Sequence, residues 1–195
     1  MAKNNCRVEF DELRTVDAVD ETGEAVKIVV GRLGEVRFVD QNTDITLSTQ
    51  SLPYGSTLFV ADKTIVEKGT MIAKWDPFNA VIITETAGRV QLESVIEGVT
   101  YRVDSDESTG LREIIIIESK DKTKIPSAHI LNEDGMVIRT YNLPVGGHVV
   151  IEDGQLLKAG EVLVKIPRAQ GKAGDITGGL PKTQNKSNSN LTNQI

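Results

Sequence analysis

Two stretches of this chain align on one another without a gap. The run from Leu52-Pro53-Tyr54-Gly55 to Gly69-Thr70-Met71-Ile72-Ala73-Lys74 matches the run from Leu143-Pro144-Val145-Gly146 to Gly160-Glu161-Val162-Leu163-Val164-Lys165. Identical residues fall at Leu52/Leu143, Pro53/Pro144, Gly55/Gly146, Asp62/Asp153, Gly69/Gly160 and Lys74/Lys165, and apolar residues match at Leu58/Val149, Val60/Ile151, Ile65/Leu156, Met71/Val162 and Ile72/Leu163. Two copies mean one β unit used twice; a solenoid needs at least three repeats. Each unit reads as strand, tight turn, short strand, Gly-bearing turn and strand. Gly55, Gly69, Gly146 and Gly160 are its structural turn residues, with Gly69 and Gly160 supplying positive φ in the second turn. Leu58, Val60, Ile65 and Ile72 in the first copy, and Val149, Ile151, Leu156 and Leu163 in the second, are expected to face two cores.

The rest of the chain reads as strand too. Val26–Val30, Val36–Val39 and Ile45–Thr49 are short, rich in β-branched residues, and bounded by Gly, Asn or Asp. Turn pairs such as Thr22-Gly23, Asp134-Gly135 and Asp153-Gly154 recur at close spacing, and no stretch shows capped helical periodicity. The expected fold is all-β, a sandwich or small barrel; the grammar of the repeat resembles that of barrel–sandwich hybrid folds, which implies two tandem modules of that kind. The first module spans 5–77 and the second 78–168, with their boundary near Trp75-Asp76-Pro77-Phe78. A linker follows over 169–181, and 182–195 is an Asn/Ser/Thr/Gln tail expected to be disordered.

Composition narrows the function by exclusion. The longest apolar runs are four residues, such as Ile114–Ile117, against about 20 for a spanning helix. No apolar segment follows Met1 as a secretory signal would. The single Cys6 leaves no intramolecular disulfide and no Cys-based zinc site, so a cytoplasmic setting is expected. Basic residues number 22 against 28 acidic, a net charge of −6, and aromatics are 4%. Phosphate neutralisation and base stacking both need what this chain lacks, so weak intrinsic nucleic-acid binding is expected. Charge is uneven: Glu9–Glu24 holds seven acids against Arg14, and Lys165–Lys186 five bases against Asp175. A solvated strand edge and a solvated tail account for both.

No motif announces catalysis. There is no phosphate loop, GxGxxG, HExxH or nucleophile elbow. His129 and His148, the only histidines, lie in strand patterns without a Cys or acidic partner at ligand spacing. Asp104–Gly110 echoes a calcium loop but lacks its fifth- and twelfth-position ligands. The Asp62-Lys63 turn resembles the lysine hairpin of biotinyl and lipoyl carriers, which is the alternative reading. In carriers, however, the Val-x-x-Gly-x-x-Leu element precedes the modified lysine; here Val66–Ile72 follows Lys63, and Gly154 stands at the matching place in the second copy.

Near the carboxyl end, Gly174, Asp175, Ile176, Thr177, Gly178, Gly179, Leu180 and Pro181 form a run that resembles the opening of the second trigger-loop arm in the largest subunit (β′) of bacterial DNA-directed RNA polymerase. Ala73-Lys74-Trp75-Asp76-Pro77, Val81–Gly88 and Asp106–Leu111 are similar to the large insertion that many Gram-negative β′ subunits carry inside that loop. The resemblance covers residues about 3 to 181. It implies two sandwich–barrel hybrid motifs in a non-catalytic insertion that modulates nucleotide addition, pausing and cleavage, within a nucleotidyltransferase. It implies as partners the α, β and ω subunits and the rest of β′, with DNA touched only in the whole enzyme, no membrane, and a cytoplasmic, nucleoid-associated location. Residues Gly171–Gly179 would supply a hinge. After Pro181 the family's Arg-Val and Leu-Phe-Glu-Ala-Arg runs give way to Lys182-Thr183-Gln184-Asn185. The first trigger-loop arm would lie before Met1, and the Asn-Ala-Asp-Phe-Asp-Gly-Asp run that holds catalytic magnesium does not occur. The resemblance therefore implies no cofactor in this chain, the subunit's magnesium and zinc being bound elsewhere. It implies a piece of a polymerase subunit that does not make RNA by itself.

Overall fold

A computed structural model describes residues 1–20, 22–105 and 112–168. Among them all regular structure is β, in four antiparallel sheets that repeat one pattern twice. In the first half, one sheet orders β5 (Thr46–Ser51), β4 (Glu35–Val39), β1 (Cys6–Asp11) and β7 (Ile65–Val66). The other orders β2 (Thr15–Val19), β3 (Ala25–Val29), β6 (Thr57–Leu58) and β8 (Ala73–Lys74). The second half answers with β14 (Val137–Asn142), β13 (Ser127–Leu131), β10 (Gly88–Glu93) and β16 (Leu156–Leu157). Its other sheet orders β11 (Tyr101–Ser105), β12 (Arg112–Ile116), β15 (His148–Val149), β17 (Val162–Pro167) and an added edge strand, β9 (Asn79–Ile83). Strand order is the same in both halves apart from β9.

Each half closes its two sheets on its own apolar cluster. Val8, Val29, Val36, Phe38, Leu58, Val66 and Ile72 fill the first. Val90, Ile116, Ile130, Leu143, Leu157, Leu163 and Val164 fill the second. Alternation builds these faces: in β4, Val36 and Phe38 point in while Arg37 between them reaches the surface side. The sheet pairings carry a register shift at matching places, Phe38/Val39 in β4 and Ile130/Leu131 in β13, so even the irregularity is duplicated.

The repeated glycines and aspartates have a visible purpose. Gly55 and Gly146 donate their N–H groups to the carbonyls of Val29 and Ile116, both at 2.8 Å, tying the repeat to β3 and β12. Asp62 Oδ1 accepts the Phe10 N–H at 2.9 Å, and Asp153 Oδ1 accepts the Leu92 N–H at 2.7 Å. In each copy, then, one aspartate pins the turn to the end of β1 or β10. Asp153→Ala should lower stability by about 1 kcal/mol, the scale of one hydrogen bond, while Asp153→Asn keeps an acceptor and most of the stability. Urea melts of the two variants check this; equal losses would show that the acceptor is idle.

Two core expectations are corrected. Ile65 and Leu156 are 64% and 71% exposed, whereas the residues after them, Val66 and Leu157, are buried. β7 and β16 are only two residues long, and their pairing with β1 and β10 sets which of the two residues faces in. A one-residue slip exchanges the faces. Val60 is only partly buried, packed against the edge of its core.

Candidate functional site: the crevice between the modules

The two modules meet along a crevice of about 1000 Å³ lined by both, including Arg14, Tyr54, Val81, Ile82, Glu85 and Tyr141. Its chemistry is that of a joint. The Ile83 N–H donates to the Tyr54 hydroxyl across the boundary at 3.3 Å, and the Glu85 N–H donates to the Tyr141 hydroxyl at 2.9 Å. Burial pushes the Tyr54 phenol above its ordinary pKa, so it stays neutral and bonded. The Glu85 carboxylate sits between Arg14 of the first module, at 3.4 Å, and Arg139 of the second, at 3.7 Å. Half-exposed pairs of this kind set orientation more than stability.

Close backbone approach completes the joint. A Cβ at Gly55 would lie 2.5 Å from Val81 Cγ2, and one at Gly160 2.7 Å from Ala18 Cβ and 3.0 Å from Ile28 Cδ1. Among the described residues, nothing lies within 4 Å of a Cβ at their copies, Gly146 and Gly69. All four have φ between 80° and 93°. The fold thus uses each repeated glycine for its turn, and one glycine of each pair also for contact between modules.

The other residues singled out from the sequence lie elsewhere. Gly174–Pro181, the linker 169–181, the tail 182–195 and Asp106–Gly110 lie outside the described residues. Lys63 is exposed at φ 59° in the turn where Gly154 stands in the second copy at φ 80°. The histidines do have acidic partners, contrary to the reading from spacing. His129 Nε2 lies 2.5 Å from Glu93 Oε2, with Nδ1 2.8 Å from Thr140 Oγ1, and His148 Nδ1 lies 2.8 Å from Glu113 Oε2. His129 is paired with Gln91 and His148 with Ile115, so each glutamate is a diagonal cross-strand neighbour, two residues along the partner strand. Chain spacing does not carry that relation. Among the described residues no group of three His, Cys, Asp or Glu side chains is placed to hold a metal ion. No helix among them is long and apolar enough to cross a membrane.

Sequence reasoning missed Tyr54, Glu85 and Tyr141 as joint residues. The one signal was indirect: Tyr54 stands in the repeat where the second copy has Val145, a place where the copies differ in kind.

Fold and joint define the class, a duplicated pair of all-β modules clamped across one crevice. No family model matches the chain. Curated relatives are more informative. The chain is 76% identical over 182 residues, 93% of its length, to the protein of Bacteroides fragilis named DNA-directed RNA polymerase subunit beta'. Proteins of the same name match at 59% identity over 90% of the chain in Parabacteroides distasonis and at 49% over 90% in Flavobacterium johnsoniae. The chain spans 13% of the first of these relatives and 12% of the other two. It belongs to the β′ family as the counterpart of one segment of that subunit.

Proposed function

We propose that the chain is the trigger-loop insertion of β′, built of two sandwich–barrel hybrid motifs, and that it acts within DNA-directed RNA polymerase without supplying reacting groups. The observation that carries this reading is the 76% identity to β′ over nearly the whole chain. The duplicated fold and the Gly174–Pro181 run agree with it. A trigger loop gates chemistry by closing on the incoming nucleotide and excluding water. A folded module pair spliced into such a loop travels with it. Contacts that the pair makes in one loop state and not the other shift the equilibrium by their difference in free energy. Pausing, nucleotide addition and transcript cleavage would be tuned in this way, with Gly171–Gly179 as the hinge and the α, β and ω subunits and the rest of β′ as partners.

The test is deletion of the segment matching residues 2–168 from β′, followed by assembly of the polymerase. RNA synthesis should persist while pause lifetimes change about fivefold or more, the scale of an ordinary coupling between sites. Complete loss of nucleotide addition in a correctly assembled enzyme would show that the segment belongs to the reacting centre. Unchanged pausing, addition and cleavage would show that it does not act on the loop.

A further inference from the structure

Among the described residues the strand order repeats in full except at one place. In the second module β17 is an inner strand, hydrogen-bonded to β15 on one side and β9 on the other; among the described residues its counterpart β8 is bonded to β6 alone and ends its sheet. We propose that the free edge of β8 is a strand-docking site, and that in the full β′ subunit the polypeptide leading into Ala2 fills it as an antiparallel strand equivalent to β9.

The backbone already points that way. In the second module the residue after β9, Thr84, donates its N–H to the Glu161 carbonyl at 2.9 Å and accepts the Gly160 N–H at 2.8 Å. Ala2 makes the same two bonds in the first module, donating to the Thr70 carbonyl at 2.9 Å and accepting from Gly69 at 2.8 Å. Glu161 and Gly160 are the repeat partners of Thr70 and Gly69. Ala2 therefore holds the place of Thr84, so a polypeptide leading into it would run along β8 as β9 runs along β17.

Side-chain exposure shows the same gap. β9 pairs Ile83 with Val162 and Ala80 with Ile166, and Ile166 packs on the second core. The repeat partner of Val162 is Met71, 42% exposed, and that of Ile166 is Trp75, 49% exposed. An apolar residue left bare on one copy and partly covered on the other is what an absent edge strand leaves behind. An unpaired edge flanked by large apolar side chains is also a ready template for pairing. Because β9 is Asn79-Ala80-Val81-Ile82-Ile83, the occupant should be a short, mainly apolar extended segment. The β′ relatives, of which this segment is 12–13%, extend far enough to supply one in the same polypeptide.

Trp75 is the chain's only tryptophan and sits on this edge, so it reports the docking. The experiment compares this chain with one carrying at its amino end the stretch that precedes the matched segment in the Bacteroides fragilis subunit. The extended chain should show blue-shifted Trp75 emission, reduced acrylamide quenching and slower hydrogen exchange in β8, while exchange in β10 and β13 stays the same and shows that the fold is intact. If the extended chain aggregates, the same stretch added as a free peptide should give the same shift. Emission and β8 exchange unchanged by both forms would overturn the proposal. So would an equal shift from a scrambled extension, or a shift in the unextended chain that grows with protein concentration, which would make a second copy the occupant. The inference depends on the chain being a segment of β′ and not on which loop carries it. The pausing assay can fail while this one succeeds, and the reverse.

Discussion

Replacing Leu163 by Ala is expected to cost about 2–5 kcal/mol, the range for truncating a fully buried leucine whose surroundings relax only in part. Leu163 is 0% exposed in β17 and packs in the second cluster with Ile130, Leu157 and Val164. Leu156→Ala, by contrast, should stay within about 0.5 kcal/mol of the parent, because that leucine already projects into solvent. The two clusters share no residue, so the loss should register first in signals from the second module. Amide exchange or NMR peaks of β10 and β13 follow it, whereas Trp75 fluorescence reads the first module and would miss it. A single melt of both modules need not be two-state, which is a further reason to follow them separately. Comparable losses for the two leucines would mean that β16 has the opposite register to the one described.

The repeat, the all-β class and the place of most core residues were legible in the sequence because they rest on local chemistry. Gly69 and Gly160 mark turns, and Leu58, Ile72, Val149 and Leu163 recur at matched positions and are buried. The second strand was legible only to within one residue. In a strand two residues long, Ile65-Val66 or Leu156-Leu157, alternation has nothing to repeat against, and pairing with β1 or β10 decides the face. The rest of the duplication was hidden for a different reason. β1–β5 and β10–β14 are copies in topology, but the core asks only for apolar volume, so Phe38 answers to Ile130 and Val36 to Ala128. Unequal loops also break the alignment: β3 to β4 takes five residues, 30–34, and β12 to β13 takes ten, 117–126. The joint was the least legible part. Tyr54 meets Ile83, and Arg14 meets Glu85, only because two separately folded units are docked, and no spacing rule reaches across that docking. The histidine–glutamate pairs were missed for a related reason, since diagonal neighbours on paired strands are set by register.

Gly88→Ala should destabilise the second module by about 1–3 kcal/mol, the usual cost of overpacking a tight site. Gly88 opens β10 opposite Leu157, and a Cβ there would sit 2.4 Å from the Leu131 carbonyl oxygen and 2.5 Å from Ile130 Cγ2. Its φ is not in the left-handed region, so the backbone itself would accept alanine. Relief of unfolded-state entropy would then favour the substitution by about 0.4–1 kcal/mol if space allowed. The sign of the measured change therefore decides between space and chain entropy, and the contact with a backbone oxygen makes space the winner. The first module sharpens the argument. At the equivalent start of β1, opposite Val66, stands Cys6, whose side chain is buried without conflict. Gly88→Cys thus transplants a residue that one copy accommodates into a copy where the Leu131 carbonyl stands in its place. It should cost more than Gly88→Ala. Arg89→Ala, on the exposed side of the same strand, should change stability by less than about 0.5 kcal/mol. Urea unfolding followed through β10 and β13 amide signals measures all three. A neutral or stabilising Gly88→Ala would show that β13 moves aside at its bulge, and that the glycine is there for some reason other than the approach of the Leu131 carbonyl.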